Sequence, residues 1–195
     1  EERLEQSGKR AMLEEIRAIT KLANIQYLRQ AEMKGLGHAV LCAKNFAAGE
    51  PVAVLYGDDV IIGESPACGE LCEAYERYGK GVIGVKEVPI EEISKYGSAR
   101  IAERLSDRTY AVDEMVEKPK PEEAPSPYAI LGRCVLPPEI FSILERTTPG
   151  AGGEIQLTDA MRSLAHTVGM VAVEYAGTRY DMGNKLGILQ AAVEV

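Results

Sequence analysis

The apolar positions change their spacing repeatedly along the chain, and each change marks an element. Leu4, Met12, Leu13, Ile16 and Ile19 recur at near-helical intervals among charged residues, which predicts an opening helix. Ile25 to Gln30 predicts a short strand. Lys34-Gly35-Leu36-Gly37-His38 is a glycine loop feeding a helix from about Ala39 to Phe46. Pro51 to Ile62, with Val52, Val54 and Leu55, predicts a buried strand that breaks at Gly57-Asp58-Asp59. Leu71, Ala74, Tyr75 and Tyr78 mark a helix, and Gly81 to Val88 a further strand. Tyr96 to Leu105 and Tyr110 to Val116 form a hairpin across Ser106-Asp107-Arg108-Thr109. Ala129 to Leu136 is a strand. Pro137-Pro138 opens a helix through Leu144, with proline in its permitted first-turn place. Ile155 to His166 is helical, Met170 to Tyr175 extended, and Asn184 to Val195 helical again. Strands alternating with helices predict an α/β domain, with a mostly parallel sheet covered on both faces.

Composition bounds what such a domain does. The chain has 195 residues, of which 46% are hydrophobic, enough for one packed domain over residues 1–195. A formal charge of -8 opposes nucleic-acid binding, which needs clustered Lys and Arg. It leaves room for a small anionic ligand, because a few local cations dominate a pocket. Cys42, Cys68, Cys72 and Cys134 form no C-x-x-C pair, and two histidines are too few for a usual zinc set. Reduced thiols in a cytoplasmic protein are the expectation, with no disulfide between Cys68 and Cys72. No apolar run approaches the ~20 residues that span a bilayer, so neither a membrane nor a nucleic acid is an expected partner. Nothing in the composition excludes a homo-oligomer.

Five short stretches carry candidate chemistry. Asp58 and Asp59 end a hydrophobic strand, where ligands gather in open α/β sheets. A carboxylate there suits Mg²⁺, which takes one or two carboxylates plus phosphate oxygens and water. Gly-Asp-Asp is equally good turn chemistry. Asp181, after a later strand, either joins that metal site or opens the last helix as a cap. Glu117-Lys118-Pro119 ends the hairpin's second strand. Its lysine is either solvated or, with proline stiffening the exit, directed at a phosphate as a point charge. Glu154, after Gly150-Ala151-Gly152-Gly153, either accepts hydrogen bonds from sugar hydroxyls or only favours a helix N-terminus. Gly35 and Gly37 allow backbone to approach a flat ligand closely.

QAEMKGLGHA from Gln30, YGDDVI from Tyr56, VEKP from Val116, GAGGEIQLTD from Gly150 and YDMGNKL from Tyr180 occur in this order. With these motifs the chain resembles the bacterial UTP–glucose-1-phosphate uridylyltransferases, also called UDP-glucose pyrophosphorylases, over nearly its whole length. The resemblance implies a Rossmann-like nucleotidyltransferase fold with an inserted β-hairpin. It implies conversion of UTP and glucose 1-phosphate to UDP-glucose and pyrophosphate with Mg²⁺. By the same resemblance Gln30 and Gly35 contact uracil, and Asp58 and Asp181 hold the metal. Gly97, Glu117 and Glu154 hold the sugar and Lys118 its phosphate. Asp59 and Lys185, inside the matched motifs, join the substrate-binding candidates.

No general base is needed, because a sugar phosphate is already an anionic nucleophile; its second pKa is about 6. The work is to align one oxygen with the α-phosphorus and to neutralise crowded charge. The family also carries a glycine-rich G-x-G-T-R loop after its first strand. That loop is not found in these residues, so the expectation is an incomplete domain without the first strands and inactive alone. A related expectation is that Ile25–Gln30 and Val52–Tyr56 do not pair with each other. Other readings remain: a nucleotidyltransferase using dTTP or CTP, a metal-dependent glycosyltransferase, or a non-catalytic sugar-nucleotide-binding piece.

Overall fold

The structure is a computed structural model that describes residues 1–195 apart from the side chain of Ala151. Its helices are α1 (Glu2–Gln6), α2 (Arg10–Lys21), α3 (Leu36–Cys42), α4 (Lys44–Ala47), α5 (Ala67–Tyr78), α6 (Glu139–Leu144), α7 (Leu157–Ala165) and α8 (Lys185–Glu194). Its strands are β1 (Val52–Leu55), β2 (Asp59–Ile62), β3 (Gly81–Glu87), β4 (Gly97–Arg104), β5 (Thr109–Glu117), β6 (Tyr128–Leu136), β7 (Met170–Glu174) and β8 (Thr178–Asp181). None of the helices is long and apolar enough to cross a membrane.

Six strands form one sheet in the order β1-β6-β3-β7-β5-β4. β3 and β7 run parallel; β1–β6, β6–β3, β7–β5 and β5–β4 are antiparallel. The α/β class stands, but the sheet is mixed rather than mostly parallel. The reason lies in the connections. The β4–β5 hairpin enters beside β7, and β6 runs back between β1 and β3. Gly97 and Ser98 at the start of β4 also bond to Ile130 and Ala129 of β6, so the ladder curls toward closure. Register shifts in β3 and β4 supply the bend. Opposite the β3 shift, Gly132 adopts φ +65°, a conformation that β-carbon sterics penalise in other residues.

Helices cover both faces. Leu157, Thr158, Ala160, Met161 and Leu164 of α7 are buried, the i, i+3, i+4, i+7 stripe of a core-facing helix. The apolar ones pack with Ile140, Phe141 and Leu144 of α6 and Val40 of α3 against β-strand residues such as Ile83, Met115 and Cys134. On the other face Leu71 and Ala74 of α5 pack against Val82, Val135, Val171 and Val173. Gly79 ends α5 in the left-handed conformation, a common helix stop.

Three sequence expectations shift. Ile25 to Gln30 forms no strand: it belongs to no ladder, and Ile25, Tyr27 and Leu28 are exposed. β-prone residues form a strand only where a neighbour supplies hydrogen bonds, and no described strand lies beside them. It does not pair with β1, as expected; β1 pairs with β6. The Gly35–Gly37 loop passes into α3 three residues earlier than its spacing suggests. The single strand expected over Pro51 to Ile62 is two strands in different sheets, since β2 pairs with β8.

Gly132→Ala is expected to destabilise the fold by about 2–3 kcal/mol, because a left-handed non-glycine residue costs roughly 1–2 kcal/mol. The added Cβ would also lie 2.5 Å from Asp59 Oδ2. Gly49→Ala is the control. Gly49 has φ +87°, but a Cβ added there would meet nothing within 4 Å, so only the conformational cost remains. Urea unfolding of both variants checks this; equal losses would remove the contact with Asp59 from the account.

Candidate functional site

The turn after β1 sets two neighbouring aspartates to opposite uses. Asp58 sits in that turn and is exposed, while Asp59, first residue of β2, is 6% exposed. The β2–β8 ladder pairs Asp59 with Asp181, and the Met182 N–H donates to the Asp58 carbonyl at 2.7 Å. The Asp58 and Asp181 carboxylates therefore meet beside Gly183. A Cβ built on Gly183 would lie 3.0 Å from Asp58 Oδ2 and 3.1 Å from Asp181 Oδ1. Two hard oxygen donors thus flank a space that one methyl group would fill. The cap reading for Asp181 is displaced, because Asn184 caps α8, its Oδ1 accepting the Gly187 N–H at 2.8 Å.

Asp59, a substrate-binding candidate by sequence, has other work in the structure. Its Oδ1 accepts from Arg179 Nε at 2.5 Å, and its carbonyl accepts from Arg133 Nη1 at 3.0 Å. Burial raises the Asp59 pKa above the usual carboxylate range; Arg179 opposes that rise, and Asp58 and Asp181 add to it. Arg179 also reaches Asp181 Oδ2 at 3.5 Å and lies over the Tyr96 ring at 5.2 Å. Sequence reasoning missed Arg179. Its only signal was an arginine two positions before Asp181 in β8, which places both side chains on one face of the strand.

Across the cleft, β4 and β5 bring Gly97 opposite Glu117. Glu117 Oε2 accepts from Thr158 Oγ1 at 2.6 Å, another residue missed from sequence. A Cβ on Gly97 would lie 3.2 Å from that carboxylate oxygen. Lys118 follows with φ +44°, an uncommon conformation for a residue with a Cβ. Its N–H donates to the Tyr96 carbonyl at 3.1 Å, and Pro119 behind it is buried. The lysine side chain is exposed and lines the cleft with Asp58, Asp181, Gly97, Glu117 and Thr158. Tyr56 lies at the same cleft; burial first, then Cys134, Glu117, Asp59 and Asp58, push its phenol pKa well above the ordinary value. The cleft encloses about 280 Å³.

Gln30, Gly35 and Glu154 form a neighbouring patch. Gln30 Nε2 donates to the Gly35 carbonyl at 3.1 Å and meets His38 Nδ1 at 2.9 Å. Gly35 and Gly37 permit a close approach, as their type suggests, but to protein: Cβ atoms there would lie 2.7 Å from Glu154 Cβ and from the Ile155 carbonyl. Backbone bonds Ile155 N–H to Lys34 O and Gly37 N–H to Ile155 O fix that approach. Leu36 and Gln156 carry the patch to the cleft lining. Lys185 stands apart, exposed at the start of α8 and outside that lining. A roomier hollow of about 700 Å³ lies between the segment after α6 and α7, but it holds none of these candidates. Two of its polar groups are already engaged, Arg162 with Glu114 and His166 with the Asp113 carbonyl.

Arg179→Met is expected to cost about 3 kcal/mol of stability, near the low end for breaking a buried ion pair, since its side chain is 16% exposed. Adding Asp59→Leu should recover part of the loss by removing the orphaned charge. Chemical denaturation of the single and double variants checks this; a fully additive double would mean the two side chains do not support each other.

Residues 4–195 match the family profile described as Nucleotidyl transferase. UTP–glucose-1-phosphate uridylyltransferase YngB of Bacillus subtilis strain 168 is 47% identical over 192 residues, covering 98% of this chain and 64% of that protein. A second protein of that strain, a UTP–glucose-1-phosphate uridylyltransferase, is 47% identical and is covered over 66% of its length. The chain therefore spans about two thirds of the length of these curated relatives. A crystal structure of UDP-glucose pyrophosphorylase complexed with UDP-glucose superposes with a TM-score of 0.90 at 39% identity, covering 96% of this chain and 72% of that one.

Proposed function

We propose a function from one established premise: this chain belongs to the nucleotidyl transferase family, and within it to the UDP-glucose pyrophosphorylases. The proposed reaction joins glucose 1-phosphate to the uridylyl group of UTP. An oxygen of the sugar phosphate forms a bond to the α-phosphorus. The bond from that phosphorus to the bridging oxygen breaks, and pyrophosphate leaves. The observation that carries the reading is the single cleft shared by Lys118 and Glu117 on one wall and Asp58 and Asp181 on the other.

Each residue has a role that follows from its position. The Lys118 ammonium is a compact charge suited to the sugar phosphate, presented by an unusual backbone conformation and a buried proline. Glu117 accepts from a sugar hydroxyl, and Gly97 leaves room for the ring beside it. Glu154 borders the same substrate, with Gln30 and Gly35 on the uracil side. Asp58 and Asp181 fit Mg²⁺, since they offer hard oxygens around a space of methyl size. When bound, that ion neutralises phosphate charge. The reaction belongs to carbohydrate metabolism and to a cytoplasmic setting, where both substrates are soluble.

The test is pyrophosphate release from UTP and glucose 1-phosphate, beside CTP and dTTP as rival nucleotides. Release with UTP supports the reading. Preference for another base moves the chain to another branch, and release of free nucleoside diphosphate from UDP-glucose favours a glycosyltransferase. UDP-glucose binding by calorimetry without any turnover would assign a binding role.

Lys118→Ala is expected to lower turnover roughly a hundredfold with less effect on UTP binding, as expected for one lost charge in a phosphoryl-transfer site. Lys118→Arg should restore only part. Near-normal turnover in Lys118→Ala would return this side chain to the solvated surface. Gly183→Ala is expected to raise the Mg²⁺ concentration needed for half-maximal rate, because its methyl group fills the space between the carboxylates. Steady-state rates across a Mg²⁺ titration measure this, and an unchanged midpoint would argue against metal at that place.

A further inference from the structure

Thr158 is the second residue of α7, 7% exposed, and joined to none of the residues assigned to substrate except Glu117. In a helix interior a threonine often turns its hydroxyl back to a carbonyl of the preceding turn; as the second residue of α7, Thr158 has no such turn behind it. Here Thr158 Oγ1 donates instead to Glu117 Oε2, 41 residues away in sequence, at 2.6 Å. That length belongs to a charge-assisted hydrogen bond. The carboxylate also lies at the first turn of α7, where the helix dipole favours negative charge.

The third wall of this arrangement is Gly97. A Cβ there would lie 3.2 Å from Glu117 Oε2 and 3.3 Å from Thr158 Oγ1, so the pair packs on a bare backbone face. One carboxylate oxygen is thereby committed to Thr158. The other oxygen and the remaining lone pairs stay available at the cleft, in a fixed direction. A free glutamate would have to order several torsions on binding; a β-branched donor held in a helix removes much of that freedom beforehand.

We propose that Thr158 is a positioning residue for sugar recognition, acting through Glu117 to set which sugar hydroxyl configuration the cleft accepts. This rests on the proposed function, because it takes Glu117 as a sugar contact. It adds the origin of stereochemical preference, which comes from a clamped carboxylate rather than from a carboxylate alone.

The experiment is calorimetric binding of UDP-glucose and of its galactose epimer to the whole chain. The proteins are the unaltered chain, Thr158→Val, Thr158→Ser, Glu117→Gln and the Thr158→Val/Glu117→Gln double. Valine keeps the shape and loses the donor, so UDP-glucose binding should weaken about tenfold, the usual scale for losing a hydrogen bond to a charged group. The ratio of glucose to galactose affinity should narrow with it. Serine keeps the donor and should hold both values near the original. In the double variant valine should add nothing to the loss from Glu117→Gln. Unchanged affinity and ratio in Thr158→Val, or a loss fully additive with Glu117→Gln, would overturn the inference. Failure of the unaltered chain to bind UDP-glucose would instead overturn the functional reading, and this inference with it.

Discussion

The ion pair between Asp59 and Arg179 holds the cleft in shape. β2 and β8 have four residues each, and an isolated two-stranded ladder of that size is marginal in water. What secures it is a carboxylate buried between the ladder and Gly132 of the main sheet, paired with a guanidinium that is itself mostly covered. Arg133 of β6 donates to the same residue's carbonyl, so the small ladder is tied to the large sheet at its first position. Arginine suits this place because its planar fork serves several partners at once. Asp59 takes Nε, Asp181 lies near Nη2, and the ring of Tyr96 lies beneath. The Tyr96 carbonyl in turn accepts the Lys118 N–H. One side chain therefore connects the aspartate wall to the lysine wall.

That linkage explains which parts of the site were legible beforehand. Asp58, Asp181, Gly97, Glu117 and Lys118 stand at strand ends, and strand ends follow from alternation and turn residues. The hairpin, α5, α7 and the run of β6 lie close to where periodicity put them for the same reason. Thr158 and Arg179 were not legible, because each matters through a partner distant in sequence: Glu117 is 41 residues from Thr158 and Asp59 is 120 from Arg179. Local pattern carries no signal for such pairs. The ion pair of Asp59 was hidden for a related reason. Two adjacent aspartates look equivalent in sequence, and only the β2–β8 register decides which one faces inward.

The direction of the sheet strands shows another limit. Alternating strands and helices predict parallel neighbours, since a crossover helix returns the chain to the same edge. β3 and β7 obey this. β6 enters from a loop after the hairpin and runs antiparallel to both β1 and β3, so its place in the sequence was legible while its direction was not. The consequence for function is local. Because β6 reverses, Ile130, Leu131 and Gly132 lie along the floor of the cleft, and the left-handed Gly132 brings backbone against Asp59 where no side chain fits.

Charge in the cleft sets the last constraint. Asp58, Asp59, Glu117 and Asp181 line it with Lys95, Lys118 and Arg179. Two of those cations already face carboxylates of the protein, Arg179 with Asp59 and Lys95 with Glu92. Lys118 is therefore the cation among them most open to a phosphate. A triphosphate and a sugar phosphate brought together carry several negative charges, and one ammonium offsets only part of their repulsion. Asp58 and Asp181 alone would increase that repulsion. Asp181 is partly offset by Arg179 and by the Gly183 N–H, and under the proposed function a divalent cation held beside Gly183 would turn both carboxylates into anchors for phosphate charge. The same reasoning gives the carboxylates different parts to play, since Asp59 is neutralised by Arg179, Glu117 is clamped by Thr158, and Asp58 and Asp181 face the space between them.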